Sequence, residues 1–258
     1  MEIKLRSGTS NVLDQGKGPA VLLIHAFPLH HGMWEPQFPA LSARFRVIAP
    51  DIRGFGRSRP ASPWTMEEMA DDLNALLTEL NVDACSVAGV SMGGYIGLAF
   101  WYKYPERVRQ LVLSNTRARA DNEAEKNGRN EMIAAIQQNG VSILPDRMLP
   151  RLLRPNAPQE VVAKVRTMIE AADASATIHA VMAMRDRMDF SAALHRVNCP
   201  AMVVAGENDA IIRVEEVRSM AEGISGARFV QIPDSGHLSN LENPGEFNRA
   251  MLGFLAGN

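Results

Sequence analysis

A serine hydroxyl attacks a carbonyl carbon only when a base removes its proton, and Ser91 has the local sequence such a serine needs. It lies in Gly89-Val90-Ser91-Met92-Gly93. This is a G-x-S-x-G string, in which the serine sits on a sharp strand-to-helix turn and the glycines let backbones pass closely. Glycine and serine are common enough that a chain of this length shows such a string by chance with probability on the order of 0.1. The surroundings carry more weight. An apolar run, Cys85 to Val90, precedes the serine, and a stretch with small residues at Gly93, Gly94, Gly97 and Ala99 follows it.

Of the six histidines, His237 is the candidate base. It lies in Asp234-Ser235-Gly236-His237-Leu238, a loop after the last expected strand and before the final helix. That position belongs to the C-terminal edge of a sheet, where open α/β sheets hold their ligands. A base of this kind needs a carboxylate to fix its tautomer and to stabilise the imidazolium that forms during attack. Asp209, in Gly206-Glu207-Asn208-Asp209-Ala210, follows another expected strand and supplies it, in preference to Glu207, which reads as a turn residue. The turn after the preceding strand reads Leu113-Ser114-Asn115-Thr116, with no acid until Asp121. The chain order serine, aspartate, histidine is the one the nucleophile-elbow arrangement uses. The oxyanion formed by attack needs two amide donors. The Met92 N–H, directly after the serine, is one candidate, and the Phe27 N–H in His25-Ala26-Phe27-Pro28 is the other.

These loops require a scaffold that delivers them to one edge. Runs rich in valine, isoleucine and leucine recur at Ala20 to Phe27, Arg46 to Ile52, Ala84 to Ser91, Arg109 to Asn115, Ala201 to Glu207 and Ala227 to Ile232. They do not alternate with polar residues, so they read as strands buried on both faces, as in a parallel sheet. Helical signals separate them. Thr65-Met66-Glu67-Glu68 is a capping box that opens an amphipathic stretch to Leu80, and further helices are expected at Met92 to Tyr104, Val214 to Glu222 and Pro244 to Leu255. Repeated strand and helix read as a three-layer α/β sandwich with a mostly parallel sheet. The alternation stops between residues 117 and 190, which reads as a small helical cap inserted into a core of residues 1–116 and 191–258. Helix-like composition is clearest there at Met132 to Gln138, Val161 to Ala171 and Ile178 to Met188.

Composition narrows the partners. The chain has 258 residues, 46% of them hydrophobic, enough for a large core without staples. Twenty-seven basic side chains against 29 acidic ones give a formal charge of −2, which offers no electrostatic case for nucleic acid or anionic membrane. The start lacks the apolar core of a secretory signal, no run approaches the ~18 apolar residues of a membrane span, and a cytoplasmic setting is expected. Cys85 and Cys199 lie in or beside apolar stretches and read as reduced, buried thiols.

The loop His25-Ala26-Phe27-Pro28-Leu29, the run Asp51-Ile52-Arg53-Gly54-Phe55-Gly56-Arg57-Ser58, the elbow, Gly206-Glu207-Asn208-Asp209 and Gly236-His237 together resemble the α/β-hydrolase superfamily. The likeness is to small bacterial carboxylesterases and the enol-lactonase-like group, and it spans nearly the whole chain. It implies a helical cap after the sixth core strand, a Ser91, Asp209, His237 triad, an oxyanion hole from Phe27 and Met92, and a scaffolding role for the Asp51 to Ser58 loop. One departure is Ala26, where the family usually carries glycine; alanine restricts the backbone there.

The expected activity is hydrolysis of small, largely apolar carboxylic esters through an acyl-serine, with neither metal nor organic cofactor. Phe27, His30, Met182, Met184 and Met188 are the candidate pocket residues, the methionines because flexible thioethers adapt to apolar ligands. Arg117, Arg119 and Arg129 read as solvated, and an acidic substrate would need one turned inward. The tryptophans Trp34, Trp64 and Trp101 read as core or rim. Enol-lactone hydrolysis, carbon–carbon bond hydrolysis and cofactor-free perhydrolysis would use the same three residues, and a binding protein on this fold is the non-enzymatic rival.

Overall fold

The expected strands are dominated by apolar side chains, and the central ones are stable because they are covered on both faces. The computed structural model describes residues 1–60 and 62–257. Its eight strands are β1 (Glu2–Leu5), β2 (Gly8–Gln15), β3 (Ala20–Ile24), β4 (Arg46–Pro50), β5 (Cys85–Val90), β6 (Val108–Ser114), β7 (Ala201–Gly206) and β8 (Arg228–Ile232). They form one sheet in the order β1-β2-β4-β3-β5-β6-β7-β8. From β4 to β8 every pairing is parallel. All residues of β3, β5 and β7 are buried.

The first two strands pair antiparallel at one edge and were not expected from the sequence. Their burial explains this: β1 alternates exposed and half-buried residues, and only Asn11 and Val12 of β2 are buried. Neither contains the continuous apolar run by which the other six are legible.

The helices are α1 (Phe38–Ser42), α2 (Met66–Glu79), α3 (Met92–Lys103), α4 (Glu123–Asn139), α5 (Leu144–Leu152), α6 (Gln159–Glu170), α7 (Ala174–Arg185), α8 (Val214–Glu222), α9 (Ser239–Glu242) and α10 (Pro244–Leu255). Helices cover the sheet to make a three-layer sandwich, in which α2 packs on α3 and α1 on α10. The Thr65 capping box is formed: the threonine hydroxyl accepts the Glu68 N–H, and the Glu68 carboxylate accepts the Thr65 N–H.

Helices α4 to α7 form the insertion between β6 and β7. α4 begins well before Met132, at a second capping box in which Asn122 and Glu125 exchange backbone donors. α5 was not expected from the sequence, and it carries two prolines. Pro145 stands in the first turn, where no intrahelical donor is lost, while Pro150 falls near the C-terminal end. None of the helices among the described residues is long and apolar enough to cross a membrane.

The sheet order reverses at β3, whose neighbours are β4 on one side and β5 on the other. Loops leaving β3 and β5 diverge at such a switch point and open a crevice at the strands' C-terminal ends. Ser91 and the His25 to Phe27 segment leave from those two ends.

Candidate active site

Where β5 meets α3, Ser91 takes φ 54° and ψ −114°, a conformation strained for a residue with a side chain. The surroundings hold it. The Ser91 N–H donates to the Ser114 carbonyl at 2.9 Å, and the Thr116 hydroxyl donates to the Ser91 carbonyl at 2.8 Å. The two motif glycines are required by close approach. A Cβ on Gly89 would lie 2.1 Å from the Gly93 carbonyl oxygen, and one on Gly93 would lie 2.1 Å from the Ile24 carbonyl oxygen.

Asp209 and His237 arrive from the ends of β7 and β8. Gly206 lets the two loops cross, since a Cβ there would stand 1.9 Å from the Gly236 carbonyl oxygen. Asp209 Oδ1 accepts the N–H groups of Ile211 and Ile212 at 2.8 and 3.0 Å. Its Oδ2 accepts from His237 Nδ1 at 2.8 Å and from Asn115 Nδ2 at 3.0 Å. Both side chains are buried. Burial alone would raise the Asp209 pKa, but His237, Asn115 and the Ile212 amide together hold it below the ordinary carboxylate value. An ionised Asp209 fixes the proton of His237 on Nδ1, which leaves Nε2 free to accept a proton. Glu242 braces the histidine loop by accepting the Gly236 N–H at 2.7 Å and the Arg154 N–H at 2.8 Å.

The segment after β3 is anchored by His25. Its Nε2 accepts the Ile52 N–H at 2.9 Å, and its Nδ1 lies 2.9 Å from the Ala26 carbonyl oxygen. Burial pushes the His25 pKa down to about 4, so the ring is neutral when it joins the two loops. Ala26 is fully buried and does not adopt positive φ, so an alanine is accommodated at this position. Neither the Phe27 nor the Met92 N–H donates to a backbone or side-chain acceptor among the described residues outside the helices and strands.

Ser91, His237 and Phe27 line one cavity of about 420 Å³, within the range of small-molecule sites. Met132, Met148, Leu152, Met184 and Ile211 add apolar wall. Of the three expected methionines only Met184 is there. Met182 is 38% exposed and borders a separate cleft beside Trp64, and Met188 is 46% exposed. α7 turns one face inward, and residue 182, two positions from 184, points away from it, while Met188 lies beyond the end of the helix. His30 is also absent from the cavity. Its Nδ1 accepts the Gly32 N–H at 3.0 Å and caps a short 3-10 turn.

Arg117 was expected to be solvated and is instead buried, paired with Glu125 at 2.6 Å and Glu216 at 3.5 Å. Arg119 joins the same two carboxylates, and Arg129 pairs with Asp121, which also holds the buried Arg187. Asp121 is thereby committed to two arginines. The network ties the start of the insertion to α8.

Residues 19–244 match the family described as alpha/beta hydrolase fold. The chain belongs to that family. A thermophilic esterase from Thermogutta terrifontis, solved with malate bound, superposes on this α/β-hydrolase with a TM-score of 0.96 and 36% identity, covering 100% of this chain and 98% of that one. The enol-lactonase of Burkholderia xenovorans LB400 gives a TM-score of 0.92 at 26% identity, over 99% and 100% of the two chains. In sequence, 3-oxoadipate enol-lactonase 1 of Acinetobacter baylyi is 26% identical over 240 residues, 92% of this chain and 88% of the relative. The protein is a hydrolase.

Two features of this α/β-hydrolase were missed in the sequence. Asn115 was noted only as a position without an acid, yet its amide reaches Asp209, while its Oδ1 accepts from the Ser114 and Ser239 hydroxyls. Its place directly after β6 was the available signal. His30, His31 and Asp51 form the one group with metal-ligand chemistry among the described residues. Both Asp51 oxygens already serve four donors, from Asn11, Arg57 and the backbone and ring of His31, which accounts for the cluster as support of the Asp51 to Ser58 loop.

Proposed function

We propose that this enzyme hydrolyses small carboxylic esters through an acyl-Ser91 intermediate, with the segment 117–190 as the cap over the site and the cytoplasm as its setting. The observation that carries the reading is a buried Asp209–His237 pair bordering the same cavity as a serine in a strained turn. His237 Nε2 takes the Ser91 proton as Oγ bonds to the ester carbonyl carbon. The oxyanion receives the Phe27 and Met92 N–H groups, each worth roughly 3 kcal/mol in comparable sites. The alcohol leaves with the proton from His237. Water then gives its proton to His237, attacks the acyl carbon, and releases the acid with Ser91 restored. The apolar wall around Met184 and Ile211 favours an apolar portion next to the reacting carbonyl. The likeness to two enol-lactonases supports an internal enol ester as a second form of substrate for the same steps.

Ser91→Ala is expected to reduce hydrolysis of short p-nitrophenyl esters by about 10⁴-fold or more. A fluorophosphonate should label the parent protein at Ser91 stoichiometrically. Activity retained within about tenfold by a folded variant would remove the reading, because loss of the nucleophile costs several orders of magnitude.

A further inference from the structure

The insertion between β6 and β7 contains nine arginines and two lysines from residue 117 to residue 190. Nine of these eleven cations have a partner. Arg117, Arg119, Arg129, Arg166, Arg185 and Arg187 pair with carboxylates, as do Lys126 and Lys164. Arg154 donates to the Asp234 carbonyl. The two left without an ion pair or hydrogen bond among the described residues are Arg147 and Arg151, and both line the cavity that holds Ser91 and His237.

They stand one turn apart on α5, on the same face, where like charges repel and weaken the helix. Both are exposed at the edge of the cavity, and with the other cations of the insertion paired they are the ones free to meet an anion there. The cavity's carboxylates do not neutralise them. Asp121 and Glu125 are bound by other arginines, and Glu131 makes no ion pair with either residue. A guanidinium pair presents several donors in fixed planes, which suits the two oxygens of a carboxylate.

We infer that Arg147 and Arg151 receive a free carboxylate on the substrate, so that the preferred ester is a monoanion with an apolar stretch between its carboxylate and the scissile carbonyl. This deepens the proposed ester hydrolysis and rests on Ser91 as the nucleophile. It also accommodates the mixed lining: methionine, leucine and isoleucine side chains face the spacer, and the arginines face its charged end.

The test compares matched esters that differ in one charge. On the acyl side these are 4-nitrophenyl hydrogen glutarate and 4-nitrophenyl methyl glutarate, and on the alcohol side 4-acetoxybenzoate and its methyl ester. The parent enzyme should prefer the anion in at least one pair. In Arg147→Gln/Arg151→Gln the anion-to-neutral ratio of kcat/KM in that pair should drop by about fivefold or more, chiefly through KM, as expected for loss of a charged contact. A circular dichroism spectrum and urea midpoint matching the parent show that the variant is folded. Arg166→Gln, outside the cavity, should leave the ratio alone. Preference for the neutral ester in both pairs, or a smaller drop in the double variant, overturns the inference. Those results leave neutral-ester hydrolysis intact, whereas failure of the nucleophile assignment appears as hydrolysis surviving Ser91→Ala.

Discussion

Asn115 shows how much a single uncharged side chain can contribute to a charged pair. Its backbone has φ 48°, a region that asparagine tolerates better than most residues. From there its amide reaches Asp209 Oδ2 beside the His237 nitrogen. Its own oxygen is held by two hydroxyls, so the amide cannot flip without breaking both bonds. Asn115→Gly keeps the backbone conformation and removes the donor. We expect kcat to drop by roughly 10- to 100-fold, with KM changed by less than about twofold, because a small misplacement of the base acts on the chemical step rather than on binding. Steady-state kinetics on a neutral p-nitrophenyl ester measure it, and an unaltered kcat would mean that Asp209 and the loop amides orient His237 alone.

At the level of elements, α3 is buried around its whole circumference, which small residues make possible. Its glycines are not equivalent. Gly93 faces the Ile24 carbonyl, whereas a Cβ on Gly97 would meet only Val87 at 3.6 Å and Ile24 at 4.0 Å, ordinary contact distances. Gly93→Ala should therefore destabilise by roughly 3 kcal/mol or more, since the obstacle is backbone that cannot rotate away. Gly97→Ala should be neutral or stabilising by up to about 1 kcal/mol, because alanine is the better helix former. Urea unfolding of the two variants decides it, and equal midpoints would contradict the packing argument. The six parallel strands and the capped helices were legible because their signals are contiguous in the chain. The edge strands β1 and β2 and the proline-bearing α5 were not, since partners distant in sequence stabilise them.

For the molecule as a whole, His25 links the loop after β3 to the loop after β4, and the linkage carries a pH dependence. Its pKa is about 4 in the fold against an ordinary 6.5, so the unfolded chain binds the proton first. The contribution of this ring to stability is complete above about pH 6.5 and is lost as pH falls toward 4, by roughly 3 kcal/mol in total. Below 4 it changes no further. His30, also lowered by burial, adds in the same direction. Urea midpoints should fall between pH 7 and pH 4.5, and the fall should shrink in His25→Asn, which has no titrating ring. A flat profile for the parent would show that His25 is not held neutral.

Read alone, the sequence determined the local devices. The elbow depends on neighbouring glycines, the helix starts on residues three apart, and the buried strands on unbroken apolar runs, all of them short-range physics. The order of Ser91, Asp209 and His237 along the chain was equally plain. Tertiary structure decided which groups meet across the fold: the Asn115 amide on Asp209, Arg187 on Asp121, and Met184 inside the cavity while Met182 and Met188 lie outside. It also left Arg147 and Arg151 without an ion pair or hydrogen bond among the described residues. Such facts depend on how a helix is rotated against its neighbours, and that rotation is set by packing between segments far apart in the chain.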